Sequence, residues 1–85
     1  MGQKYATGSI TAGPTPQFIH TGFDVLGFSF YSSLGDYQIR LKTIDGWGGW
    51  IKCFKDISIS ENFECLGVEV KSIASVTVEY FIKGI

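Results

Sequence analysis

Trp47 and Trp50 flank Gly48-Gly49, inside a stretch from Asp36 to Phe54 that also carries Tyr37, Gln38, Arg40 and Asp45. An indole displayed by a flexible loop can stack on the apolar face of a sugar ring. Neighbouring Asp, Arg or Gln side chains then exchange hydrogen bonds with the sugar hydroxyls. The candidate ligand-binding set is therefore Trp47, Trp50, Tyr37, Arg40 and Asp45. A competing reading puts the rings in the core. It weighs most on Trp50, which falls in phase with Phe54 along the strand expected over Trp50 to Phe54, and Trp47, between two glycines, is balanced between the readings. Asp45 precedes Gly46, where an aspartate shapes a turn by bonding its own downstream backbone.

Other reactive side chains are sparse. His20 is the one histidine, so a site built on paired imidazoles is excluded. Cys53 and Cys65 fall in strand segments that a turn at Glu61-Asn62 would pair, and closing that loop would contribute about 3 kcal/mol if the bond formed. Whether it forms depends on the redox compartment. Gly46-Trp47-Gly48-Gly49 lacks the lysine and helix of a phosphate-binding loop, and no Ser sits in a Gly-x-Ser-x-Gly elbow. Alternate acidic residues of a calcium loop are missing as well. The expectation is a protein that is not an enzyme, with no catalytic residues, no metal and no cofactor.

The elements that must position the aromatic stretch are strands. Tyr37, Ile39 and Leu41 alternate with Gln38, Arg40 and Lys42, the period-two pattern of a strand with one buried and one wet face. Asp45-Gly46 supplies the turn after it. Before it come a first strand over Tyr5 to Thr11, a proline-broken loop at 12–16, a short edge strand over Gln17 to His20, and a strong strand over Phe23 to Tyr31 that is either covered on both faces or bulged at Gly27. After it come strands over Asp56 to Ser60, Phe63 to Val70 and Ser75 to Lys83. In the last, Val76, Val78, Tyr80 and Ile82 face one way and Thr77, Glu79, Phe81 and Lys83 the other. No window carries a helical apolar period. The fold class expected is all-β, a small antiparallel β-sandwich or barrel of about eight short strands.

Length fits one domain over residues 1–85. A chain this small buries only about 60–65% of its unfolded surface, so its core is thin. Charged residues make up 18%, against about 25% in an average soluble domain, so apolar surface is left to cover and a homo-oligomer is favoured. The net charge of −1 excludes a general nucleic-acid binder. No apolar run is long enough to span a membrane, so no membrane insertion is expected. The start, Met1-Gly2-Gln3-Lys4-Tyr5-Ala6, shows no signal peptide and has Ala6 where myristoylation requires Ser or Thr.

Gly46-Trp47-Gly48-Gly49-Trp50-Ile51, followed by Gly67-Val68-Glu69-Val70-Lys71-Ser72-Ile73, resembles the clostridial hydrophobic repeat with a conserved tryptophan. The similarity covers Leu41 to Ile73. It implies a non-catalytic extracellular module for surface or glycan attachment. The reading from the residues is a binding module for carbohydrate or a cell-surface polymer, placed outside the cell or on a particle surface. The alternative is a structural subunit of an oligomeric surface or virion protein, such as a tail fibre. A lectin spends its bulky apolar residues in a pocket, whereas an assembly protein spends them between subunits.

Overall fold

Alternation in the last third of the chain builds the centre of the molecule. The residues 76, 78 and 82 of strand β9 (Val76–Gly84) are buried with Tyr80 half-buried, while Thr77, Glu79 and Phe81 are exposed. β9 is flanked by β1 (Lys4–Ala12), which pairs along its full length, and by β3 (Val25–Tyr31). β7 (Ile59–Glu61) closes this sheet on the far side of β3, giving the order β1-β9-β3-β7.

The second sheet is built on β4 (Tyr37–Thr43) and β8 (Gly67–Lys71), with β2 (Gln17–Phe18) outside β8. On the other side of β4 lie β5 (Gly46–Trp47) and β6 (Ile51–Cys53). All pairings are antiparallel. The described residues, 4–85 of this computed structural model, hold no helix. Met1, Gly2 and Gln3, on which the reading of the chain start partly rests, lie outside them. No helix is long and apolar enough to cross a membrane.

The sheets face each other across one core. Val25, Phe28, Phe30, Val78 and Ile82 from the first sheet meet Tyr37, Ile39, Val68 and Val70 from the second. Burying each such side chain contributes about 1.5–3 kcal/mol over leaving it in water. The chain is thus an all-β antiparallel sandwich.

Several expected elements are in place. The bulge at Gly27 is a register shift between Val25 and Gly27. A Cβ there would come within 2.7 Å of Lys83 Cε and 2.9 Å of Asn62 Oδ1, so the backbone approach requires glycine. Gly46 takes φ 108° in the turn after β4, a conformation side chains with a Cβ rarely adopt.

Other expectations are corrected. Glu61-Asn62 does not close a hairpin: β7 pairs with β3 in one sheet and β8 with β4 in the other, so the segment between them crosses the sandwich. Phe63 to Leu66 is irregular, tied through a bridge between Cys65 and Val25 and by Leu66 N–H donating to Lys42 O at 2.7 Å. Asp56, expected to open a strand, sits instead in a turn at φ 64°.

Candidate functional site

β4 points Gln38, Arg40 and Lys42 out of the sandwich, and its neighbours complete an outer face. Arg40 lies opposite Glu69 and Gln38 opposite Lys71 on β8; Lys42 lies opposite Trp47 on β5 and Gln38 opposite Lys52 on β6. The segment holding β5 and β6 carries a bulge. Lys42 pairs with Trp47 and Ile39 with Ile51, so two residues of β4 oppose the three residues Gly48, Gly49 and Trp50. Gly48 N–H donates to Leu41 O at 2.9 Å and holds the offset. In a regular strand, residues three apart face opposite sides. The extra residue reverses the phase, so Trp47 and Trp50 share the outer face while Ile51 and Cys53 turn inward.

Arg40 fills the space between the two indoles. Its guanidinium carbon is 4.7 Å from the Trp47 ring centroid and 4.6 Å from that of Trp50. Arg40 Nε donates to Glu69 Oε1 at 2.8 Å, and Nη2 lies 2.6 Å from the same oxygen. Lys71 Nζ sits 4.2 Å above Trp50, and Lys42 Nζ 5.9 Å from Trp47. Each ring therefore has two cations against it, a contact worth about 0.5–2 kcal/mol per pair depending on desolvation. Phe18 extends the row, edge-on to Trp47 at 6.1 Å and to His20 at 4.8 Å. Its ring lies over Gly67, where a Cβ would meet Phe18 Cε1 at 2.6 Å.

Both tryptophans are half-buried, so the weighting of Trp50 towards the core is corrected: it covers the outside of the sheet. Tyr37 is separated from the set altogether. It is 2% exposed and faces the interior, as the alternation with Arg40 requires. Asp45 lies at the exposed tip of the turn after β4, where its N–H donates to Thr43 Oγ1 at 3.2 Å. The structure thus brings together Trp47, Trp50 and Arg40 and leaves Tyr37 and Asp45 out. Glu69, Lys71 and Phe18 join the site unforeseen. Lys42 was legible from alternation, but the pairing partner of β4 was not.

A second feature lies at the end of the sandwich where β4 begins and β8 ends. It is a groove of about 790 Å³ bordered by Leu34, Tyr37, Phe54, Lys71 and Ile73. The Tyr37 hydroxyl is buried at this end, faced by the Cys53 thiol, a weak hydrogen-bonding partner. Burial, and then the neighbouring Cys53 thiol, raise its pKa well above the ordinary phenol value. Cys53 is itself pushed up to about 11 by burial, and its Sγ–H points to Ile51 O at 3.7 Å. Cys65 is raised by burial too. The two thiols are free, one on β6 and the other beside β3. Among the described residues no cluster of His, Cys, Asp or Glu could hold a metal ion.

Against known proteins, no family model matches the chain, nor does any curated protein. Among solved structures, one described as "Bacillus endospore appendages form a novel family of disulfide-linked pili" superposes with a TM-score of 0.71. The match covers 96% of this chain and 83% of that chain, at 19% identity. The two share a fold. The aligned span reaches both sheets of the sandwich, so the likeness belongs to the whole architecture and not to the tryptophan segment alone.

Proposed function

We propose that this chain is a structural subunit of a surface assembly and that copies associate through the free edge of β1. The edges of the sandwich carry the reading. β2 and β5 have two residues each, and β6 and β7 three. Short edge strands are how soluble sheets avoid pairing with other chains. Among the described residues β1 is the exception: nine residues, with β9 as its one strand partner, and exposed over most of its length. Such an edge offers a continuous row of backbone donors and acceptors to a second strand. Pairing β1 with β1 of another copy satisfies both rows with one two-fold contact.

The pilus subunit of the same fold supports an assembly role and a surface location. Among the described residues twelve large hydrophobic side chains are exposed, from Phe18 at 36% to Ile73 at 93%, more apolar surface than a small monomer needs. A glycan platform is the weaker reading, because cations already lie against both indoles. Light scattering on the purified chain tests the assembly, with proline placed at each of two adjacent edge positions, Ala6→Pro and Thr7→Pro. Successive N–H groups point to opposite sides of a strand, so one proline breaks the bond to β9 and the other removes a donor from the free edge. The expected result is one variant that keeps its circular dichroism spectrum and loses the dimer. A monomeric wild-type chain at high concentration sinks the reading.

A further inference from the structure

The two most exposed large apolar side chains sit at opposite poles of the molecule. Ile73 (93% exposed) stands on the rim of the groove, and Ile44 (92%) at the tip of the turn after β4. The poles are fixed by the ladders: Tyr37 and Lys71 lie at one end of the β4–β8 pair, Lys42 and Gly67 at the other. We infer that the turn bearing Ile44 and Asp45 docks into the groove of a second copy, joining copies head to tail. The contact rests on the assembly reading and adds to it a propagating interface.

Two observations converge on this partner. The groove is rimmed by exposed Leu34, Phe54 and Ile73, so it accepts a branched aliphatic side chain. Second, charge is complementary between the poles. Lys52 and Lys71 line the groove, with Asp36 accepting from Lys55 N–H at 2.9 Å. The opposite pole presents Asp45 beside Ile44, with Glu64 next to Cys65 and Asp24 next to Val25 at the bridge below the turn, three carboxylates against Lys42 and Lys83. A carboxylate following the isoleucine by one residue would meet the lysines as the side chain enters. A turn tip is narrow enough for an end groove, whereas an extended strand is not needed.

Sedimentation velocity on the full chain tests this with Ile44→Lys and Ile73→Glu, run in the wild-type background and in the edge-blocked proline variant. Both positions are solvent-exposed, so folding is unaffected. Each substitution is expected to weaken head-to-tail association by at least about tenfold, the effect of withdrawing one isoleucine from an apolar contact and opposing like charges. An equimolar mixture of the two regains a one-to-one complex, because one intact turn and one intact groove remain. Association of either single variant at wild-type strength overturns the inference, and so does a mixture that stays apart. Loss of the β1 contact leaves the mixing result unchanged, so the two interfaces fail separately.

Discussion

Trp47 and Trp50 are an odd number of residues apart yet lie on the same face, either side of Arg40. The bulge at Gly48-Gly49 makes that arrangement, and its removal is the sharpest test of it. Gly49 has no heavy atom within 4 Å of where a Cβ would sit and no positive φ. Gly49→Ala should therefore shift stability by no more than about 0.5 kcal/mol. Deleting Gly49 should invert every side chain after it in the segment and bring cooperative unfolding close to room temperature. Urea melts of the two variants check the contrast.

The indole–guanidinium stack should behave as a cover and not as a core. Trp47→Ala and Trp50→Ala are each expected to cost about 1–3 kcal/mol, below the ~3–5 kcal/mol of emptying a buried tryptophan site. Arg40→Lys keeps the charge but loses the planar group between the rings, and it should cost about 1 kcal/mol. Tryptophan emission should move to longer wavelength in Arg40→Lys as water reaches both rings. An unchanged emission maximum would mean that Arg40 does not pack there in solution.

Tyr37→Phe should stabilise the isolated subunit. It removes a buried hydroxyl faced only by the weak Cys53 thiol and leaves the ring packing in place, a gain of about 0.5–2 kcal/mol. A drop in melting temperature for the monomer would show that the hydroxyl is bonded after all.

The thiols make stability fall at high pH. Cys53 in the folded chain is pushed from 9.0 up to about 11, so between those values the unfolded chain has lost a proton that the folded chain keeps. The unfolded state is then the one favoured by raising pH, and the stability held below pH 9 declines towards pH 11. Cys53→Ala should flatten that slope. Both cysteines should resist a thiol reagent until the chain unfolds, and an assembly of this subunit should survive reductant, because neither sulfur reaches the surface.

Local pattern carried much of the fold. The alternation in Tyr37 to Lys42 and Val76 to Lys83, the Asp45-Gly46 turn and the Gly27 bulge are each written within a few residues. What stayed hidden depends on partners distant in the chain. Nothing near Glu61 says that β7 joins β3 while β8 joins β4, so the pairing of Cys53 with Cys65 by a hairpin was an error of register across sheets. The site was half legible for the same reason. Arg40, Trp47 and Trp50 cluster in the sequence, whereas Glu69, Lys71 and Phe18 arrive from strands whose order only the packed core decides. Tyr37 was separable from Arg40 by parity alone. The sign of Trp50, outside and not inside, required knowing that Gly48-Gly49 holds an extra residue and that Cys53 is the one that goes in.

Gly67 has a consequence for the dimensionality of growth. β2 pairs with β8 through Gln17 opposite Val70 and Phe18 opposite Glu69, and the Phe18 ring packs where a Cβ at position 67 would sit. Any larger residue there would lift β2 and bare the five-residue edge of β8. A subunit with one lateral edge and one axial contact has a fixed valence and yields threads. With a second lateral edge it would tile sideways as well, and threads would become sheets. On the proposed contacts, a side chain at position 67 would turn growth along a thread into growth across a lamina.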